Sequence, residues 1–216
     1  MKIVAVSDMH GFLPDIPPCD LLLIGGDMTP VRDHSVGYQA EWLDTNFRRW
    51  LESVPARKTI GVAGNHDFIF QEAPERVPRD LRWTYLQDSS TEWDGLRIWG
   101  TPWQPWFYDW AFNLHEPDLV PKWDLIPAGT DILVLHAPPY GYGDGVPISD
   151  GVRRTGSPSL LKRIEAIAPR VVVFGHIHEG RGAWQIGKTV LANVTIVDER
   201  YDQIYPPWEY ELLDDG

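Results

Sequence analysis

Short, uniformly apolar runs recur along this chain, and each stops abruptly at polar residues. Residues 3–6 end at Ser7-Asp8-Met9-His10, residues 21–24 at Gly25-Gly26-Asp27, and residues 59–63 at Gly64-Asn65-His66-Asp67. Residues 132–135 end at His136, and residues 171–174 at Gly175-His176-Ile177-His178. With a further run at 96–99, these suit strands buried on both faces rather than half-exposed ones. Residues 189–197 alternate and predict an antiparallel or edge-type strand, and residues 209–213 add another.

Helical spacing appears between some of the runs. Residues 38–54 repeat Trp42, Leu43, Phe47, Trp50, Leu51 and Val54 on one face, and Pro55 ends the pattern. Ser157-Pro158-Ser159 before Leu160, Leu161, Ile164 and Ile167 predicts a capped amphipathic helix, with Pro158 in its first turn and Pro169 closing it. Residues 101–131 carry prolines at 102, 105, 117, 121 and 127 with little period, which predicts a long ordered loop with short helical turns. A loop of that length in a compact domain is usually functional. Alternating strands and helices followed by strand-rich stretches predict a layered α/β protein, two sheets face to face with helices outside. At 216 residues, one domain spanning 1–216 is favoured over two.

Composition narrows the function classes. Hydrophobic content of 43% and charged content of 23% fit a soluble globular protein. No stretch approaches the roughly 18 apolar residues of a membrane span, so no membrane association is expected. A strand starting at residue 3 leaves no room for a signal peptide, so a cytoplasmic location is expected. The single cysteine, Cys19, excludes an internal disulfide and a thiolate zinc site, and its place before an apolar run reads as structural. A net charge of −12 argues against a long nucleic-acid partner, which needs a basic stripe. A small phosphorylated substrate stays compatible, because bound cations reverse the local field.

The run endings carry metal-ligand chemistry. Asp8 and His10, two apart in extended backbone, share a face and can reach one ion. The same spacing joins His176 and His178. Asp27, after two glycines that let backbone pass close to a metal or anion, has two oxygens with which to bridge cations. Asn65 offers a neutral oxygen and His136 an imidazole. Nitrogen and oxygen ligation without sulfur suits Mn, Fe, Zn, Co or Ni better than Ca or Mg. Any one of these residues alone reads as a turn or cap; their joint placement at strand ends, where α/β sheets hold their sites, points to a metal centre.

Asp8-x-His10, Gly26-Asp27, Gly64-Asn65-His66-Asp67, His136 and Gly175-His176-x-His178 together resemble the five blocks of the calcineurin-like metallophosphoesterase superfamily, in order. Gly100-Thr101-Pro102-Trp103-Gln104-Pro105-Trp106, Trp110-Ala111-Phe112-Asn113, the stretch from His136 to Asp144 and His178-Glu179-Gly180 are similar to the metallophosphoesterase-domain-containing subgroup, which includes class III cyclic-nucleotide phosphodiesterases. Some mammalian members of that subgroup carry glycine where this chain has His176. The resemblance implies a four-layer α/β/β/α sandwich of two mixed sheets flanked by helices, with two divalent or trivalent transition-metal ions at one end. Manganese leads among them, with iron, zinc, nickel and cobalt as alternatives. It implies one ion on Asp8, His10, Asp27 and His178 and a second on Asp27, Asn65, His136 and His176. His66 would serve the leaving oxygen or the phosphate, with Asp67 orienting it or capping a helix. The implied reaction is hydrolysis of small phosphodiesters, cyclic nucleotides first, by a metal-bridging hydroxide. The alternatives are a phosphomonoesterase or protein phosphatase, and a low-activity interaction scaffold.

Around the site, Asn65 and His66 are expected to contact substrate. Most of Trp103, Trp106, Phe107 and Trp110 read as pins for the proline-rich loop, with Trp103 retained as a base-stacking platform. Tyr142 is expected to shape the pocket wall or to be part of a plain turn. Arg153-Arg154 would bind phosphate or stand as solvated charge, Glu179 would support His178, and His34 and His115 fit no motif. The expected partner is a small phosphodiester or nucleotide; the oligomeric state is open, a homodimer among the options.

Overall fold

The structure, a computed structural model, describes residues 1–213. The strands are β1 (Lys2–Val6), β2 (Cys19–Gly25), β3 (Ala56–Val62), β4 (Thr84–Tyr85), β5 (Ser89–Trp93), β6 (Leu96–Thr101), β7 (Gln104–Pro105), β8 (Asn113–Leu114) and β9 (Ile132–Leu135). They continue with β10 (Gly145–Ile148), β11 (Gly151–Arg154), β12 (Val171–Phe174), β13 (Gly182–Ile186), β14 (Thr189–Asn193) and β15 (Trp208–Glu211). The helices are α1 (Val36–Trp42), α2 (Arg48–Ser53), α3 (Ile69–Glu72), α4 (Glu116–Asp124) and α5 (Pro158–Ile167).

Two large mixed sheets stand face to face. The first runs β15-β1-β2-β3-β4 and the second β13-β14-β12-β9-β6-β5. The central strands of each are parallel, and the antiparallel β15, β13 and β5 lie at edges. Period-two alternation explains why the runs are uniformly apolar. Ile3, Ala5, Leu21 and Leu23 face Ile132, Val134, Val171 and Val173 between the sheets. Their neighbours Val4, Val6, Leu22 and Ile24 pack outward under Trp42, Leu43, Phe47 and Trp50. On the other side Leu133, Leu135, Val172 and Phe174 pack under Trp123, Leu160 and Ile164. Both faces of each inner strand are thus dry, and the layers read α/β/β/α.

Three local expectations need correction. Residues 38–54 do form a helical stretch, but a π turn over Leu43–Phe47 separates α1 from α2. At α-helical spacing Trp42 and Phe47 would stand about 140° apart; the wider turn brings both to the buried face, where their rings stack at 5.7 Å. Residues 189–197 give a shorter strand, β14, which ends at Asn193; it is antiparallel to β13 as expected but lies inside its sheet, parallel to β12, and not at an edge. The proline-rich segment contains a nine-residue helix, α4, with Pro117 in its first turn and buried Leu119 and Trp123 on its core face. The α5 helix starts as predicted, with the Ser157 hydroxyl accepting the Leu160 N–H at 3.1 Å. Cys19 is buried, and that burial pushes its thiol up to about 11, so it is no nucleophile. Among the described residues, no helix is long and apolar enough to cross a membrane.

Candidate metal centre

All five apolar runs end at the same rim because the parallel strands of both sheets point their carboxyl ends there. The sheets are stitched together at this rim: Ser7 N–H donates to Val194 O, and Ser7 O accepts the Ile196 N–H. The sequence-predicted ligands Asp8, His10, Asp27, Asn65, His136, His176 and His178 therefore meet in one volume, although up to 170 residues separate them.

The donor atoms face one another. His136 Nδ1 lies 2.9 Å from Gly25 O, and a carbonyl only accepts, so Nδ1 carries the proton and Nε2 keeps a bare lone pair. That Nε2 stands 2.8 Å from Asn65 Oδ1, which is also 2.8 Å from His176 Nδ1. His178 repeats the arrangement: Nδ1 donates to Asp198 O at 3.0 Å, and Nε2 lies 3.2 Å from His10 Nε2 and 3.6 Å from Asp8 Oδ1. Asp27 Oδ2 stands between the two groups, 3.9 Å from His10 Nε2 and 3.5 Å from His136 Nε2. Lone pairs at these distances repel unless a cation lies among them. Metal bonds of about 2.1 Å at right angles place neighbouring donors about 3 Å apart, so this donor set fits transition-metal ions. The Gly25 and Asp198 carbonyls hold two of the imidazoles in the metal-binding tautomer.

The backbone is shaped around the ligands. Asp8, His10, Asp27 and His176 all adopt left-handed φ, at 54°, 46°, 54° and 68°. Each such residue costs on the order of 1–3 kcal/mol and persists only where surroundings over-determine it. Here the carboxylates do part of that: Asp8 accepts the His176 N–H and Asp27 Oδ1 accepts the His66 N–H. The glycines before Asn65 and His176 make room. A Cβ on Gly64 would collide with Asp27 Oδ1, and one on Gly175 with Asp8 Oδ2.

Electrostatics point the same way. Burial, with Asp67 and Asp8 nearby, pushes the Asp27 carboxyl well above the ordinary range. Burial also opposes ionisation of Asp8, but the hydrogen bond and charge of His178, helped by His136 and His10, outweigh it and lower the carboxyl. Burial pushes His10 down to about 3 and, with the charges of His10, His34 and His136, His66 down to about 2. A neutral imidazole, as at His10, is the form that ligates cations, whereas at His178 the hydrogen bond and charge of Asp8 outweigh burial and raise the imidazole, so binding an ion there releases a proton.

The expected bond from Asp67 to His66 is not made. Both Asp67 oxygens are taken by other groups: Oδ1 accepts the Thr29 N–H and hydroxyl, each at 2.9 Å, and Oδ2 accepts the N–H of Gly64 at 2.9 Å and of Met28 at 3.2 Å. Asp67 is a loop anchor that ties the turn after β2 to the turn after β3. Asp67→Ala would leave those buried donors unpaired, at a cost of about 3 kcal/mol or more. At about 2–4 °C per kcal/mol for a chain of this size, thermal denaturation is expected to show a fall of roughly 6–12 °C. A shift below about 2 °C would contradict the anchoring role. The partner on the His66 ring is His34, whose Nε2 lies 3.0 Å from His66 Nδ1.

A cavity of about 490 Å³ opens over the ligands, lined by Asp27, Asn65, His66, His176 and His178. Trp106, Phe107 and Trp110 form one flank, and Arg153, Val146 and Tyr201 border it elsewhere. The loop aromatics are thus sorted differently from the sequence expectation. Trp103 does not line the cavity: its N–H donates to Asp88 at 2.9 Å and its face takes the Lys122 ammonium at 4.1 Å, so it is the pin. Trp106 and Phe107 are half exposed and face the cavity. Tyr142 also lies off the cavity, edge-on to Trp184 at 6.3 Å. Arg153 reaches the cavity, whereas Arg154 is bound to buried Asp144 at 2.7 Å. Glu179 lines the cavity, but His178 Nδ1 is taken by Asp198, and His115 stacks on Trp106 at 5.4 Å.

The match to a family model described as calcineurin-like phosphoesterase spans residues 1–180. The chain belongs to that family. This calcineurin-like phosphoesterase is 36% identical to human metallophosphoesterase domain-containing protein 1, over 98% of this chain and 71% of the human one. It is 32% identical to UPF0046 protein T07D4.2 of Caenorhabditis elegans, over 98% of this chain and 60% of that one. Among solved structures, TT1561 of Thermus thermophilus has a TM-score of 0.57 at 16% identity, covering 89% of this chain and 88% of its own, a likeness of fold. Membership makes the chain a metal-dependent phosphoester hydrolase of a family with a dinuclear metal centre, and the buried His/Asp cluster is able to hold metal.

Two residues beside the phosphoesterase centre escaped the motif reading. His34 belongs to the same post-β2 segment as Asp27, which was its only signal. Tyr201 has none in the sequence. The Asp198 carboxylate accepts the N–H groups of Arg200 and Asp202, each at 2.9 Å, and this turn carries Tyr201 at φ 63°. Its ring packs edge-on to His10 at 4.8 Å and His178 at 5.0 Å.

Proposed function

We propose that this phosphoesterase hydrolyses small phosphodiesters, with cyclic nucleotides as the substrate class and manganese as the leading metal. The observation that carries the nucleotide reading is the aromatic flank beside the ligands. Trp106, Phe107 and Trp110 offer apolar ring faces to a flat organic group on the phosphate, and such faces accept any base. A phosphoserine or phosphothreonine side chain brings no flat group to them, whereas a nucleotide does.

Asp8, His10, Asp27 and His178 would hold one ion, and Asp27, Asn65, His136 and His176 the other. When bound, the pair supplies Lewis acidity that lowers the pKa of water and neutralises phosphoryl charge. The chain's own groups do the rest. His66 Nε2, 4.0 Å from Asp27 Oδ2, directs a hydrogen bond into the cavity where charge gathers on a leaving oxygen. Arg153 adds positive charge at the rim, and the aromatic flank limits water on one side of the substrate.

The test compares bis(4-nitrophenyl) phosphate with 4-nitrophenyl phosphate, then cyclic AMP and cyclic GMP, on protein loaded with Mn, Fe, Zn, Ni or Co. A larger kcat/KM for the diester is expected, with Trp106→Ala raising KM for cyclic nucleotides about 10-fold, the scale of one stacking contact. A faster monoester would overturn the reading in favour of a phosphomonoesterase.

A further inference from the structure

Of the seven histidines, two lie near the cluster without being predicted ligands, and they touch each other. His34 Nε2 is 3.0 Å from His66 Nδ1. The pair is caged by rings: His66 and Trp110 have centroids 4.4 Å apart, and His34 lies 5.3 Å from both Phe68 and Trp110. Neither ring can turn freely. Gln39 fixes the backbone as well, since its side-chain amide donates to His66 O at 2.7 Å. His34 is half-buried, so its ring still meets solvent.

The two nitrogens of His66 face different chemistry. Nε2 looks toward Asp27 Oδ2 at 4.0 Å and toward the cavity. On that side the leaving oxygen of a phosphoester can accept only a proton carried on Nε2. Nδ1 is then an acceptor held against His34, and two acceptors 3.0 Å apart would repel. The contact is a hydrogen bond only if His34 Nε2 carries a proton.

We propose that His34 is a positioning residue: its Nε2–H donates to His66 Nδ1 and so holds His66 with the proton on Nε2, aimed at the leaving oxygen of the phosphoester. This inference rests on the phosphodiesterase reading for its consequence, but the tautomer itself does not. Without the bond, His66 divides between two tautomers, and the Nδ1–H form has no proton to offer the substrate. His34 plays for His66 the part that the Gly25 and Asp198 carbonyls play for His136 and His178, with the sign reversed: they accept from the ring, and it donates.

Two measurements decide it. The first is long-range 1H–15N NMR on zinc-loaded protein, where a pyrrole-like Nε2 and a pyridine-like Nδ1 are expected for His66, with averaging toward both forms in His34→Ala. The second compares diesters with good and poor leaving groups on metal-loaded enzyme. His34→Ala is expected to lower kcat about 10-fold or more on a phenyl diester, part of the roughly 10²–10³-fold that one donor to developing charge contributes, and less than about 3-fold on bis(4-nitrophenyl) phosphate, whose leaving oxygen gathers less charge. His34→Gln, which restores an N–H donor, is expected to recover most of the loss. Equal losses on both esters, or a proton on His66 Nδ1 in the wild type, overturn the assignment. Wild-type protein inert toward both diesters would instead overturn the phosphodiesterase reading and leave the NMR result to decide His34.

Discussion

Asp27→Asn is expected to remove both cations together. The Asp27 Oδ2 atom lies 3.9 Å from His10 and 3.5 Å from His136, so it faces both ligand groups. The substitution keeps an oxygen for the His66 N–H, which Asp27 Oδ1 accepts at 2.7 Å, so the turn after β3 survives. What goes is the negative charge between two ions of at least 2+. Outer partners of metal ligands already cost about 10–100-fold in affinity when lost, so removing a shared ligand charge should weaken both sites by at least ~100-fold. Metal analysis after desalting should fall from two ions per chain toward none, with hydrolysis lost in parallel. Thermal denaturation gives a second readout. At a metal concentration ~100 times Kd, binding stabilises by about 2.7 kcal/mol, and that shift should vanish in the variant. Metal-free, the variant should be at least as stable as the metal-free wild type, because burial with Asp67 and Asp8 already disfavours a charged Asp27. Retention of one ion at full affinity would contradict the bridging role.

His66→Ala is expected to separate turnover from metal content. A hydrogen-bond donor aimed at developing charge contributes about 10²–10³-fold, and a loss of kcat in that range is expected while both ions stay bound. The reason is that the structural duties of this residue belong to its backbone: the N–H serves Asp27 and the carbonyl accepts from Gln39. Only the ring, held between His34 and Trp110, is lost. A parallel fall in metal content would make His66 a ligand instead, a role that its grouping with His10 and Asp27 would allow geometrically.

Much of this was legible in the chain before folding. A strand dry on both faces must be apolar at every position, so the runs announced themselves and so did their ends. The glycines before Asp27 were legible as a close approach; Gly64 and Gly175 turn out to serve the same end, and the group approaching each is a ligand carboxylate. Helix α5 was readable from Ser157 and Pro158. Less legible was α4, because Pro117 and Pro121 look like breakers when only Leu119 and Trp123 carry its core face.

The unreadable part of the site concerns partners. Asp67 adjoins His66 in sequence yet spends its oxygens on Thr29, Met28 and Gly64; His34 is 32 residues away and meets the ring. Trp103 and Trp106 belong to one motif, yet Asp88 and Lys122 draw the first into the loop while the second faces the cavity. Tyr201 reaches His10 and His178 only because Asp198 folds the turn beneath it. Strand runs, their polar endings and the donor types follow from local periodicity and side-chain chemistry, which neighbouring residues suffice to express. Which donor meets which acceptor across the rim is set by hydrogen bonds and ring packing between segments distant in sequence, and those exist only once the two sheets have closed on each other.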